Sequence, residues 1–152
     1  MGIRLSPDEA WDVIEQSHTG ILTTLRANGS PVTLPTWFAV LDRTICMFTP
    51  SGTKKVARIR RDPRASFLVE SGERWAELEA VHVSGVVEIV EDEPTKVRIN
   101  QALDEKYSAF RSTSQMSQAT TDYYATRTFL RLVPEPRLLT WDNRRLNVPE
   151  PG

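Results

Sequence analysis

Residues 20–41 read GILTTLRANGSPVTLPTWFAVL, and this stretch decides the predicted fold. Two β-prone runs flank the pair Asn28-Gly29, and both residues tolerate the positive φ angles of a type I′ hairpin turn. The pattern therefore predicts a hairpin with strands over residues 21–25 and 32–41. Pro35 has no N–H for a strand ladder, which places the second strand at a sheet edge or a bulge.

The chain continues with short strands and a few helices. The first three strands are expected to form a β-meander, and Gly85 is expected to mark a bulge or a close approach. We predict one domain over residues 1–152 with a mainly β (α+β) fold, an antiparallel barrel of six to seven strands with peripheral helices. Further strands are predicted over residues 45–48, 65–70, 80–90, 129–133 and 138–141, helices over 7–17, 53–61 and 93–107, a polar loop over 112–121 and a loose tail over 147–152.

The composition is that of an ordinary globular domain, and it excludes several classes of protein. The 152 residues carry 19 Lys and Arg against 20 Asp and Glu, with 39% hydrophobic residues. The single Cys46 excludes an internal disulfide, and with two histidines a structural zinc site is not expected. No apolar run reaches the ~20 residues of a membrane span, and a signal-peptide core is lacking. We therefore predict a cytoplasmic protein without a membrane partner.

The sequence lacks the patterns typical of a catalytic centre. The sequence contains no nucleophile elbow, no paired metal-ligand motif and no phosphate-binding P-loop. His18 and His82 stand apart from any nucleophile at a known motif spacing, so a structural role is the expectation for both. Catalytic residues are therefore unknown from the sequence, and no metal ligands are predicted.

The net charge of −1 conceals a cationic segment. Residues 53–64 contain six Lys and Arg with one Asp, a net charge of +5, which leaves −6 on the rest of the chain. On a helical wheel two apolar residues point one way, while Lys54, Arg58 and Arg61 point roughly opposite. One interpretation is a solvated charged face. The other is a phosphate site, because the segment follows a strand end and a Pro-Ser-Gly turn, where helix N–H groups, helix dipole and cations all favour an anion.

Three tryptophans offer flat surfaces on which an aromatic ring could stack. They are Trp37, Trp75 and Trp141, and a core position is the commoner role of such residues. Trp75 follows a polar loop and is the least core-like of the three.

Five short motifs occur in one order along the chain. They are GILTT at residues 20–24, NGSP at 28–31, PTWF at 35–38, KKVARIRRDPRAS at 54–66 and TWDNRRL at 140–146, with Gly85 between the last two. Together they resemble the flavin/deazaflavin oxidoreductases of the pyridoxamine 5′-phosphate oxidase-like superfamily, the FMN-binding split barrel. The pattern looks most like the actinobacterial subgroup that uses coenzyme F420.

This resemblance implies a split β-barrel that forms a homodimer, with two cofactor sites at the subunit interface. The cofactor is expected to be F420, with FMN as the alternative. In such proteins the basic segment holds the phosphate, one strand lies along the tricyclic ring, and the partner subunit covers the cofactor. The cofactor-binding residues predicted on this basis are Val32, Leu34, Pro35, Thr36, Thr49, Pro50, Ser51, Thr53, Lys54, Lys55, Arg60 and Trp75.

The function implied by the resemblance is hydride transfer between the cofactor and a small conjugated organic substrate. The cofactor carries the chemistry, while the protein binds, orients and shields it. Family members often carry Asn-Leu where this chain has Arg58-Ile59, so the role of Arg58 stays open. Two alternatives stay open, a non-catalytic carrier of cofactor or haem and a small-barrel nucleic-acid-binding module. Against the latter, the cations cluster in one helix and aromatic residues make up only 8% of the chain.

Overall fold

The computed structural model describes residues 2–111 and 126–146. Within these residues, eight antiparallel strands form one curled sheet in the order β2-β1-β5-β6-β7-β4-β3, and β8 pairs with β6. This split barrel with peripheral helices confirms the predicted fold class. The elements are α1 (Pro7–Gln16), β1 (Gly20–Leu25), β2 (Pro31–Thr36), β3 (Ala39–Leu41), β4 (Thr44–Pro50), α2 (Lys54–Arg61), β5 (Arg64–Ser71), β6 (Glu79–Ile89), α3 (Glu93–Tyr107), β7 (Arg127–Pro134) and β8 (Leu139–Asp142), with short 3₁₀ helices at Trp75–Glu77, Ser108–Phe110 and Asn143–Leu146.

The predicted β1–β2 hairpin is present, but its turn is not of type I′. Gly29 has a φ of 84°, whereas Asn28 keeps a negative φ. Gly29 N–H donates to the carbonyl of Arg26 at 2.9 Å, which closes a three-residue loop with glycine in the left-handed position. The two-residue turn with two positive φ angles, 51° and 53°, lies instead at Asp42-Arg43 between β3 and β4.

The predicted β-meander is wrong, and so is the single strand over residues 32–41. The predicted strand is interrupted between β2 and β3. Its first part, β2, pairs with β1, and its second part, β3, pairs with β4. The other neighbours are β5 for β1 and β7 for β4. The cause lies far away in sequence, because the hydroxyl of Tyr107 accepts from Phe38 N–H at 3.0 Å and lies 2.9 Å from the Phe38 carbonyl. This turns Phe38 into the core and leaves Leu34 45% exposed, although two residues four positions apart would share one face of a continuous strand.

The core lies inside the curl of the sheet. α1 begins with a capping box of Ser6 and Glu9, and it packs Trp11 and Ile14 onto the strands. Gly85 is a position of close approach, because a Cβ atom there would lie 2.2 Å from the Val133 carbonyl oxygen. The predicted loop over 112–121 and the predicted tail over 147–152 lie outside the described residues. No helix in the described part of the chain is long and apolar enough to cross a bilayer.

Candidate anion and cofactor site

Helix α2 follows β4 through a tight turn, and its start is built from the predicted residues. Gly52 has a φ of 81°, which an L side chain rarely adopts, and Thr53 caps the helix by accepting from Val56 N–H at 3.4 Å. Val56 and Ile59, the two apolar residues that share one side of the predicted helix, are buried in the barrel. This anchoring fixes the direction of the helix and leaves Lys54 and Arg60 exposed.

The charges at the start of α2 are the reverse of what a helix favours. The first turns of α1 and α3 contain acidic residues, whereas the first turn of α2 contains none and begins with Lys54 and Lys55. Lys55 is half-buried, and its burial, with the nearby charge of Arg58, lowers the pKa of its ammonium group. Across residues 2–111 and 126–146, no cation of α2 lies within ion-pair distance of a carboxylate. Such an arrangement can bind an anion.

Arg58 links this helix to the neighbouring strand. Its Nε donates to the hydroxyl of Thr24 at 2.8 Å, and Thr24 is buried in β1. Arg61 donates from Nη2 to the carbonyl of Leu25 at 3.2 Å. No local pattern could indicate this contact, because Arg58 and Thr24 are 34 positions apart in the chain.

Strand β2 carries the residues predicted to lie along the cofactor ring. It is an edge strand of the described sheet, paired only with β1, so Pro35 lies at an edge as predicted. Leu34 and Thr36 both expose side-chain surface, Leu34 the more strongly. β1 lies between β2 and the cationic helix, to which it is joined through Thr24 and Leu25.

The remaining predicted residues divide into two groups. Thr49, Pro50 and Ser51 lead directly into the turn before α2, and the hydroxyl of Ser51 lies 2.9 Å from that of Thr128. Trp75 is 62% exposed and stands beside the 3₁₀ helix Asn143–Leu146, since its carbonyl accepts from Asn143 Nδ2 at 2.8 Å. Among the described residues, the hydrogen bonds of Trp75 run to Leu78 and Asn143 and not to α2 or β2.

A cleft of about 340 Å³ opens at the end of β2, and sequence reasoning missed most of its lining. The Trp37 indole stacks on the Tyr107 ring with centroids 4.3 Å apart and planes 5° from parallel. The Tyr107 hydroxyl is held by the backbone of Phe38 and His18, so this aromatic platform is rigid. Trp37 was noted as a stacking surface, but its partner is 70 positions away. The lining residues are Thr36, Trp37, Phe48, Leu103, Tyr107 and Arg111.

The fold and the site define a class of protein, a split barrel with a cationic helix placed directly after a strand end. The pyridoxamine 5′-phosphate oxidase family matches residues 6–136 of the chain. The chain therefore belongs to that family, and the predicted resemblance is confirmed. No match was found among curated protein sequences.

Solved structures give the same result for the fold. The conserved hypothetical protein Rv2991 from Mycobacterium tuberculosis is 32% identical, with a TM-score of 0.83 over 99% of this chain and 93% of that chain. An F420 reductase is 21% identical, with a TM-score of 0.66 over 88% of this chain and 98% of that chain. A heme-binding protein from Mycobacterium smegmatis is 17% identical, with a TM-score of 0.66 over 91% of this chain and 60% of that chain. The last two are similar in fold alone.

Proposed function

We propose that this protein is a cytoplasmic homodimeric oxidoreductase that uses F420, or FMN as the alternative, to transfer a hydride to or from a small conjugated substrate. The observation that carries the proposal is the start of α2, where two lysines occupy a position that helices normally give to acidic residues. Such an arrangement is stabilised when an anion binds. The F420 reductase of the same fold supports the choice of cofactor.

In this proposal the residues of the chain bind and orient the cofactor, which supplies the hydride chemistry. Lys54, Lys55 and the free N–H groups of the first α2 turn hold the phosphate, with Arg60 beside them. The hydroxyl of Thr53 is engaged as the helix cap, so Thr53 acts by fixing the turn. Thr36 stands where β2 meets the aromatic cleft, and a substrate in the cleft would lie next to the strand that carries the ring.

The proposed dimer is supported by the outer face of the sheet. Across β1, β5 and β6, Ile21 aligns with Leu68 and His82, and in the next row Thr23 aligns with Ser66 and Ser84. Neither row contains Lys, Arg, Asp or Glu. A surface without such charges is typical of the core of a subunit interface.

The dimer is tested by introducing a charge at its centre. Leu68→Arg should convert the dimer to a monomer in light scattering, whereas Glu70→Arg, at the end of the same strand, should not. A wild-type protein that is monomeric at every concentration contradicts this part of the proposal.

The cofactor is tested by titrating the purified protein with F420, FMN and single-stranded DNA while following tryptophan fluorescence and visible absorbance. Lys55→Ala should weaken binding of the cofactor about tenfold, since a charge-assisted contact is lost. Lys96→Ala is the matched control, because Lys96 lies on α3, away from the site, and pairs there with Glu93. Unchanged affinity of Lys55→Ala removes that residue from the site, and binding of DNA alone overturns the oxidoreductase assignment.

A haem or cofactor carrier is the second candidate, and one observation favours it. His18 is exposed, and its ring centroid lies 4.6 Å from Phe110 and 6.1 Å from Trp37. An exposed imidazole among aromatic rings is a suitable axial ligand for haem. A haem absorption band that shifts in His18→Ala supports the carrier. Turnover of enones or quinones with reduced F420, unaffected by His18→Ala, supports the enzyme.

A further inference from the structure

We propose that a cleft between α1 and the loop that joins β7 to β8 binds a free α-amino acid with an apolar side chain. The cleft encloses about 350 Å³, which lies at the lower end of the range of small-ligand sites. Its described lining shares no residue with the predicted cofactor site. The inference therefore goes beyond the proposed function and does not depend on it.

The floor of the cleft is apolar and continuous with the core of the barrel. Ala10 and Trp11 of α1 line it, and both are buried in the main cluster of the core. Leu5 and Leu138 line it as well, and each is partly buried against the same cluster. Ligand clefts are mostly apolar with a few polar groups at defined positions, so this floor can take an aliphatic or aromatic side chain.

The walls of the cleft are fixed by hydrogen bonds between elements. Leu5 N–H donates to the hydroxyl of Thr140 in β8 at 2.9 Å, which holds the chain before α1. Glu135 N–H donates to the carbonyl of Ser84 in β6 at 2.8 Å, which holds the loop after β7. Pro136 restricts the same loop, because its ring fixes φ. The cleft is therefore preformed, and little conformational entropy is lost when a ligand enters it.

Three charged residues line the cleft, and one of them is neutralised. Arg43 pairs with Asp8 of α1. Glu135 and Arg137 are exposed, so they stand at the opening of the cleft. Across residues 2–111 and 126–146, neither lies within ion-pair distance of an opposite charge. The opening therefore presents one carboxylate and one guanidinium, each without an ionic partner in this part of the chain.

These two charges stand close enough together to meet one small ligand. Only Pro136 separates Glu135 from Arg137, so their Cα atoms are at most about 7 Å apart. An α-amino acid carries its ammonium and carboxylate groups on a single carbon. Glu135 can accept from the ammonium group, and the guanidinium of Arg137 can donate to both carboxylate oxygens. The side chain of the ligand then points into the apolar floor beside Trp11.

The deciding experiment titrates the cofactor-free protein with L-phenylalanine, phenethylamine and hydrocinnamate while NMR follows the indole N–H signals. The signal of Trp11, assigned with Trp11→Phe, should shift with L-phenylalanine in a saturable way. Phenethylamine lacks the carboxylate and hydrocinnamate lacks the ammonium group, so each should bind about tenfold more weakly. No saturable shift with L-phenylalanine up to about 10 mM, or equal affinities for all three ligands, overturns the proposal.

Two charge variants test which residue meets which group of the ligand. Arg137→Gln should lower the affinity for L-phenylalanine about tenfold and leave that for phenethylamine unchanged, because phenethylamine has no carboxylate. Glu135→Gln should also lower the affinity for L-phenylalanine, but not that for hydrocinnamate. Arg74→Gln and Glu91→Gln are matched controls, since they remove the same charges at exposed positions outside the cleft, and they should change no affinity. Equal losses for all three ligands in either cleft variant overturn the proposal.

The remaining outcomes identify a different occupant or a damaged fold. A Trp11 signal that shifts with protein concentration alone would show that a second copy of the chain fills the cleft, which overturns the proposal. The side chains of Glu135 and Arg137 are exposed, so both variants should keep the circular dichroism spectrum and the Tm of the wild type. Because no cofactor is present in the titration, a negative result here leaves the proposed function untouched, and failure of the cofactor to bind leaves this test intact.

Discussion

Two regions of the molecule are rich in cations, and they differ in what neutralises them. In the 3₁₀ helix Asn143–Leu146, Arg144 donates from Nε and Nη2 to the two oxygens of Asp142, both at 2.9 Å, and also pairs with Glu79. Arg145 pairs with Glu9 of α1. The cations of α2 have no such partners in the described part of the chain. Cations therefore hold the fold together around Asn143–Leu146, whereas the α2 cations are free of such pairs in the described residues and are the ones we propose to bind a ligand.

The largest expected effect on stability comes from removing a carboxylate that pairs with Arg144 and Arg145. Asp142 is buried, and its hydrogen bonds with Arg144 hold the pKa of its carboxyl below the ordinary value. Asp142→Asn should lower the free energy of unfolding by about 2 kcal/mol, because Arg144 and Arg145 each lose one of their two carboxylate partners. Urea denaturation at neutral pH measures this loss. Asp62→Asn, which breaks an exposed pair, should cost no more than about 1 kcal/mol, and equal losses in both variants would contradict the comparison.

The carboxylate of Asp142 should also make the free energy of unfolding depend on pH. Because its pKa is lowered on folding, Asp142 stabilises the protein fully above its ordinary value of 3.8, and this stabilisation is lost as the pH falls through the lowered value. Wild type and Asp142→Asn should therefore converge in stability during acid titration. Parallel curves down to the acid transition would show that Asp142 does not carry this dependence.

Removal of a cation from α2 should change the free energy of unfolding in the opposite direction. Lys55→Met should raise the free energy of unfolding of the ligand-free protein by about 1 kcal/mol, because a half-buried cation without a partner is removed. Arg144→Met should lower it. Thermal denaturation at low ionic strength distinguishes the two outcomes, and the gain in Lys55→Met should shrink in high salt as the repulsion from Arg58 is screened. A loss of stability in Lys55→Met would show that this lysine supports the fold.

Inorganic phosphate should stabilise the folded protein by about 1 kcal/mol or less, and this stabilisation should depend on the cations of α2 and not on those of Asn143–Leu146. At about five times its Kd it should raise the Tm of the wild type by a few degrees, since only the folded chain binds it. Arg144→Gln should keep this response, whereas Lys54→Gln/Lys55→Met should lose it. A response that persists in the latter variant would move the phosphate site away from α2.

A third kind of cation, Lys106, should affect stability only at alkaline pH. Lys106 is partly buried against the Phe38 ring, and burial lowers the pKa of its ammonium group from 10.5 to about 8. Between those two values the unfolded chain binds more protons than the folded one, so the contribution of Lys106 to stability rises with pH. Lys106→Met should flatten the rise in unfolding free energy above about pH 8, and Lys96→Met should not. Identical slopes in wild type and Lys106→Met would contradict this.

Local features of the fold were predictable, and contacts distant in sequence were not. The capping box of Ser6 and Glu9 and the inward Val56 and Ile59 lie within one or two helical turns, so patterns in the chain reveal them. The break before β3 depends on the Tyr107 hydroxyl, 69 positions from Phe38, and no local pattern records it.

In the candidate site too, local features could be predicted from the sequence and distant contacts could not. The density of cations in residues 53–64 was visible in the sequence. The sequence did not reveal that, among the residues that the structure describes, the cations of α2 lie beyond ion-pair distance of any carboxylate. Residues 140–146 are also rich in cations, and only the structure shows that acids from α1 and β6 neutralise them. The turn at Asn28-Gly29 was placed correctly but given the wrong type, because a three-residue and a two-residue loop share the same glycine signal.

The prolines of β2 have a consequence for the behaviour of the protein at high concentration. Pro31 and Pro35 pair with β1 without an N–H group, so the alternation of the ladder directs positions 31, 33 and 35 toward the open edge. Of these, only Thr33 has a donor to offer. The opposite edge strand, β3, is only three residues long. A sheet with such edges is a poor template for recruiting further chains into fibrils, so this open barrel should resist fibril formation.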